Sequence, residues 1–120
     1  MNVAGRVFLS CCFALTCSLL VCGCDSTPPP TPLADLNAQQ IQGYQLFQSR
    51  CAECHHDRTT NALHGPGLRG MFKKQYLPSG APANDERVTA EIVNGHGMMP
   101  PQAYLDEQER AALLAYLHTL

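Results

Sequence analysis

Apolar residues recur at helical spacing in three stretches of the chain, and no stretch alternates apolar and polar long enough to predict a strand. In the first, Ile41, Tyr44 and Phe47 share one face of a helix running to about Arg50. Asn37 reads as its N-cap, with Gln40 three residues on and Leu36 and Ile41 at the positions of a hydrophobic staple. The second runs from Asp85 to Val93. Val88 and Ile92 are four apart there, and Asn94-Gly95 is a stop signal. The third starts near Asp106, where Glu107 and Glu109 suit the positive end of a helix. Its Leu113, Tyr116, Leu117 and Leu120 follow the i, i+3, i+4, i+7 pattern. Between the helices lie loops rich in glycine and proline, notably Gly65-Pro66-Gly67 and Pro78 to Pro82. The pattern is that of an all-α domain with long loops.

Ahead of these helices the pattern is different. Met1 to Arg6 carries one positive charge, and Val7 to Val21 is apolar or small and uncharged. That is a charged n-region followed by an h-region of signal-peptide length. It is short for a bilayer span, which needs about 20 apolar residues. The stretch ends Val21-Cys22-Gly23-Cys24-Asp25, which resembles the lipobox of bacterial lipoproteins. Gly23 supplies the small residue before the cut, so Cys24 is the expected lipidated cysteine; a plain secretory signal is the alternative. Ser26 to Leu33 reads STPPPTPL, an extended solvated linker. At ~3.1 Å per residue it would hold a domain ~25 Å from an anchor. The expected division is a signal peptide over 1–23, a Pro-rich linker over 24–36 and one folded domain over 37–120.

Cysteine usage fits an exported chain. Of seven cysteines, Cys11, Cys12, Cys17 and Cys22 leave with the signal, and Cys24, Cys51 and Cys54 remain. After the cut, seven Lys and Arg face ten Asp and Glu, a formal net charge of −3. This argues against a nucleic-acid partner. Lys73-Lys74 is the only basic pair of the domain and reads as a solvated face. A domain of this size with few large apolar side chains has a thin core, and small domains of that kind need a disulfide, a metal or another aid.

Cys51-Ala52-Glu53-Cys54-His55 has the haem-attachment spacing C-x-x-C-H. The two thiols can add to the two vinyl groups of one porphyrin, and the adjacent histidine then lies under the iron. A zinc site would want four ligands. The domain has no third cysteine, and His64 and His96 lack tight spacing to the pair. A thioredoxin-like redox pair would be expected near a βαβ pattern, which the sequence lacks.

Other blocks follow in a fixed order. Gly43 and Phe47 precede Cys51, and Gly65-Pro66-Gly67-Leu68 comes after the attachment motif. Asn94-Gly95-His96-Gly97-Met98-Met99-Pro100 precedes a final Leu113-Leu114-Ala115-Tyr116-Leu117. With these, residues 38–120 resemble the class I cytochromes c. The resemblance implies the cytochrome c fold, three to four helices with long loops around one covalent haem c. It implies that Gly43 lets the first helix cross closely over the last, beside Leu113 and Tyr116. It also implies that Pro66 offers its carbonyl to His55, the proximal ligand, and that Met99, directly before Pro100, is the distal ligand. Met98 is the alternative in register, and His96 a weaker one. Met71, Phe72 and Tyr76 are expected at the haem crevice, with Tyr76 either near a propionate or simply packed there, and His56 and His118 on the surface.

The implied function is transfer of single electrons between redox proteins by a low-spin, six-coordinate haem. The chain would be a monomer or a subunit of a respiratory complex, lipid-anchored at the periplasmic face of a bacterial membrane. The alternative is a haem enzyme or gas sensor with a labile sixth ligand, such as a peroxidase-like module.

Overall fold

The computed structural model describes residues 27–120. The expected signal peptide and the lipidation at Cys24 lie outside the described residues. Three helices make the frame: α1 over Ala38–Arg50, α2 over Asp85–Asn94 and α3 over Glu107–Leu117. Short 3₁₀ turns occupy Leu33–Asp35 and Met71–Lys73, and no strand is present among the described residues beyond two isolated bridges. This is the expected all-α architecture with long loops.

Side chains fix the helix starts. Asn37 and Gln40 form a reciprocal capping box, each side chain 2.9 Å from the other's main-chain nitrogen. Asp106 and Glu109 repeat the device at α3, at 2.8 and 3.0 Å. Asn84 caps α2 by accepting from the Arg87 N–H at 2.9 Å, and Gly95 ends that helix with φ of 75°. A left-handed φ costs glycine nothing, because it has no Cβ.

The main tertiary contact is α1 against α3. A Cβ on Gly43 would lie 2.0 Å from the Ala112 carbonyl oxygen and 2.8 Å from the Tyr116 Cβ. Gly43 is therefore where the two backbones meet, and it lies against Ala112 as well as the expected Tyr116. This rotates α1 away from the face marked by its apolar residues. Gly43 and Phe47 are buried, Tyr44 is half-buried and Ile41 is 41 % exposed. Leu36 enters the core while Ile41 stays at the surface, so the anticipated staple does not bury both members. Tyr116 packs edge-on to Tyr44 and tilted against Phe47, with ring centroids 5.3 and 5.9 Å away.

All four apolar positions expected on the last helix face are buried: Leu113, Tyr116, Leu117 and Leu120. Leu120 lies beyond the helix, and its main-chain oxygen accepts from the Gly70 N–H at 2.9 Å and from Lys73 Nζ at 3.0 Å. Lys73 is thus engaged with the chain itself and is less free than the solvated pair expected from sequence.

The Pro-rich segment differs from the free spacer expected of its composition. From Thr27 onward it lies against the domain. The Thr31 N–H donates to the Thr119 carbonyl at 2.8 Å, Arg58 Nη2 donates to the Thr31 carbonyl at 2.8 Å, and Arg69 Nη2 donates to the Thr27 carbonyl at 2.8 Å. A polyproline-like backbone makes no internal hydrogen bonds, so its carbonyls remain free to accept.

Candidate functional site

Helix α1 delivers the C-x-x-C-H motif. Cys51 is its C-cap, with the Cys51 N–H donating to the Phe47 carbonyl at 2.8 Å. The Cys54 and His55 N–H groups both donate to the Cys51 carbonyl, at 3.0 and 2.9 Å. That tight turn gathers both thiols and the imidazole within one loop of chain.

Two loop arms then fold against each other. The Gly65, Leu68 and Arg69 N–H groups donate to the carbonyls of Cys54, His56 and Thr59 at 2.8, 2.9 and 3.3 Å. A Cβ on Gly65 would fall 2.3 Å from the His55 Cε1, so only glycine lets this arm lie flat on the imidazole. The pairing sets His55 Nδ1 2.9 Å from the Pro66 carbonyl oxygen. With the proton on Nδ1 donated to that carbonyl, Nε2 keeps its lone pair for a metal.

The opposite loop is a tight turn in which His96 and Met99 exchange main-chain hydrogen bonds, at 3.1 and 2.9 Å. Gly97, with φ of 59°, supplies the left-handed residue of the turn. Neighbouring side chains in such a turn diverge. Met98 projects at the tip, 86 % exposed, while Met99 lies on a cavity wall.

That cavity, of about 240 Å³, lies between all three helices. Its apolar walls come from Phe47 of α1, Val88 and Ile92 of α2, Leu113 and Leu117 of α3, and Leu68 and Leu77 of the loops. Cys51, His55, Pro66 and Met99 open onto it. Cys54 is half-buried behind the same turn and is not on the wall. Met71 lines the cavity and Tyr76, 54 % exposed, stands at its rim. Phe72 lies off the wall, contrary to expectation, and stacks on His118 with centroids 3.9 Å apart. The reason is the 3₁₀ turn over Met71–Lys73, where successive side chains point about 120° apart. His118 is itself tied to the start of α2, 2.6 Å from Asp85.

Several contributors carry no sequence motif. Lys74 and Glu91 reach the cavity, and Glu91 is hydrogen-bonded by the Ser79 hydroxyl. Asp57 accepts from the buried Tyr116 hydroxyl at 2.6 Å and from Gln48 at 3.3 Å, fastening the loop after His55 to α3 and α1. Burial, then the Asp57 carboxylate, push the Tyr116 hydroxyl well above the usual tyrosine range. No periodicity in the sequence marks a side chain that hydrogen-bonds across 59 positions.

The thiols and the His/Met pair argue for one kind of occupant. Burial, then the neighbouring Cys54, push the Cys51 thiol up to about 11. Among the described residues no three His, Cys, Asp or Glu side chains come together to hold a metal ion. What the site does present is an apolar cavity, the Cys51 sulfur on its wall, an imidazole with an oriented lone pair and a thioether. A porphyrin carrying iron fits that set of donors.

Comparison with known proteins gives the same direction. Residues 40–120 match the family model described as cytochrome c. The chain is 34 % identical over 83 residues to a cytochrome c6 of Tetradesmus obliquus, covering 68 % of this chain and 91 % of the relative. It is 34 % identical over 77 residues to a cytochrome c6 of Chlorolobion braunii, covering 63 % and 84 %. It is 29 % identical over 85 residues to a cytochrome c-553-like protein of Synechocystis, covering 71 % and 72 %.

Proposed function

The chain belongs to the cytochrome c family, and from that premise we propose that His55 and Met99 are the axial ligands of its haem, with Cys51 and Cys54 the thioether attachments. It is a monohaem electron carrier rather than an enzyme, and it holds one covalent haem c. The observation that carries the ligand assignment is the joint opening of His55, Met99 and Cys51 onto a single apolar cavity.

Bound haem supplies a one-electron couple at its iron. The residues around it do the tuning. Pro66 takes the Nδ1 proton of His55 into a hydrogen bond, which raises the basicity of the imidazole and fixes its plane. Met99 offers a thioether, which favours the reduced metal relative to a second histidine. Phe47, Leu113 and Leu117, all buried, exclude water from the crevice and so keep the local dielectric low. With His55 and Met99 both holding the iron, no position would be open to a substrate, which is why this ligand pair belongs with electron transfer.

The carrier exchanges electrons with redox protein partners. We assign it to an exported location, with residues 1–23 removed and Cys24 lipidated at the periplasmic face of a bacterial membrane. The support is the charged and apolar N-terminus with its Gly23-Cys24 pair. Among the described residues no helix is long and apolar enough to cross a membrane.

Optical spectroscopy of the holoprotein tests the ligands. Met99→Leu should abolish the thioether-to-ferric-iron band, while Met98→Leu should leave it intact. A high-spin ferric haem in the parent protein, or a band lost only in Met98→Leu, would sink the assignment. Colour that leaves the chain on acid denaturation and solvent extraction would sink covalent attachment.

A further inference from the structure

The two arms of the loop around His55 are joined a second time, outside the site, through the Pro-rich strap. Arg58 lies three residues after His55 on one arm, and Arg69 three residues after Pro66 on the other. Arg58 Nη2 donates to the carbonyls of Thr31 at 2.8 Å and Pro30 at 3.4 Å. Arg69 Nη2 donates to the carbonyl of Thr27 at 2.8 Å. Arm, arginine, strap, arginine and arm make a closed circuit, and the His55–Pro66 pair at 2.9 Å joins the same two arms at the site. The far end of the strap is fixed to the turn just beyond α3, where the Thr31 N–H donates to the Thr119 carbonyl at 2.8 Å.

The chemistry of the frame is specific. A guanidinium fork can hold neighbouring carbonyls in a fixed geometry, which an ammonium does less well. Prolines restrict the strap before it docks, so little entropy is lost on ordering it. Each arginine also keeps a buried nitrogen, Arg58 Nη1 and Arg69 Nε, with no hydrogen-bond partner among the described residues. Strap carbonyls accept from one nitrogen of each guanidinium, and Arg58 also lies beside the Tyr116 hydroxyl.

We propose that Arg58 and Arg69 are positioning residues for the proximal ligand: by gripping the strap they hold the loop arms at the separation that the His55–Pro66 hydrogen bond requires, and so lower the reduction potential of the haem. This rests on His55 being the proximal ligand. The sign follows from the bond. A short Nδ1–H···O contact makes the imidazole a stronger donor and stabilises ferric iron. Loosening the frame lengthens that contact and raises the potential.

The test uses the full chain with haem attached. Arg58→Gln, Arg69→Gln, the matching Lys variants, and a strap with Pro28, Pro29 and Pro30 all changed to Gly would be compared with the parent. Two quantities are read: the reduction potential, and the solvent exchange of the His55 ring N–H followed by NMR in the reduced protein. The Gln variants and the glycine strap should raise the potential. They should also speed ring N–H exchange about tenfold, the effect of weakening one hydrogen bond to a charged group. The Lys variants should fall between. A lower melting temperature with potential and exchange both unchanged would show a merely structural strap and overturn the proposal. If the arginine variants do not accumulate, the glycine strap decides the matter, since both guanidiniums remain. A parent protein whose His55 ring signals lack the shift of an axial ligand would refute the ligand assignment itself, and the positioning role with it.

Discussion

Gly43 is the position where a single added carbon should do most harm. In Gly43→Ala the new Cβ would stand 2.0 Å from the Ala112 carbonyl oxygen, 2.6 Å from its carbon and 2.8 Å from the Tyr116 Cβ. Ordinary contact for such a carbon begins near 3.4 Å. The obstacle is main chain, so no rotamer change relieves it, and the helices must separate by more than an ångström at their crossing. Alanine would gain about 1 kcal/mol of helix propensity over glycine. Against this, overpacking typically costs about 1–3 kcal/mol, and the clash here is with rigid backbone, so the upper end applies. The same movement would loosen Phe47 and Leu113, which wall the cavity, from their packing. A net loss of about 2 kcal/mol is expected, equivalent to roughly 8–16 °C in melting temperature for a domain of this size. Thermal and denaturant unfolding of the ferric holoprotein, followed at the haem absorbance, measures it. A Gly43→Ala protein as stable as the parent, or more stable, would refute the close-crossing argument.

Further outcomes follow from the site. Tyr116→Phe removes the hydrogen bond to the Asp57 carboxylate and should cost about 1.5–3 kcal/mol in denaturant unfolding. The raised Tyr116 ionisation means the fold favours the protonated phenol. The stability this gives is complete below the ordinary tyrosine value near 10 and is lost as pH climbs toward the elevated one. Unfolding midpoints should therefore decline above about pH 10 in the parent and decline less in Tyr116→Phe. Cys51→Ala/Cys54→Ala, produced without attached haem, should give a chain with little fixed helix by circular dichroism, because the core residues face the cavity that haem fills; a cooperative thermal transition would contradict this.

Much of this was written locally. The helix start at Asn37 was legible because a cap is a contact between residues three apart, and that near Asp106 because acidic residues cluster in a first turn; the capping box there came only with the structure. The C-x-x-C-H motif and the spacing of Leu113, Tyr116 and Leu117 were legible for the same reason: nearby residues share one turn or one face. Adjacent methionines defeated that kind of reading. Choosing between Met98 and Met99 depends on which side of a turn faces the cavity, and the His96–Met99 hydrogen bonds set that orientation. Phe72 was misplaced similarly, because a 3₁₀ turn directs it to His118 while Met71 faces inward.

Composition misled most at the N-terminus. A run of prolines has no helical or strand periodicity to announce a docking face, so it reads as a spacer. Its attachment depends on main-chain carbonyls, which every residue possesses, and on Arg58 and Arg69, which are distant in sequence. The sequence by itself determined the helices, the haem attachment motif and the family. The tertiary structure decided what lies across from what: Gly43 on Ala112, Asp57 under Tyr116, and the strap over the loop of His55. The physical reason is range. Propensity, capping and periodicity act within a few residues, whereas packing and buried hydrogen bonds join groups that only the folded chain brings together.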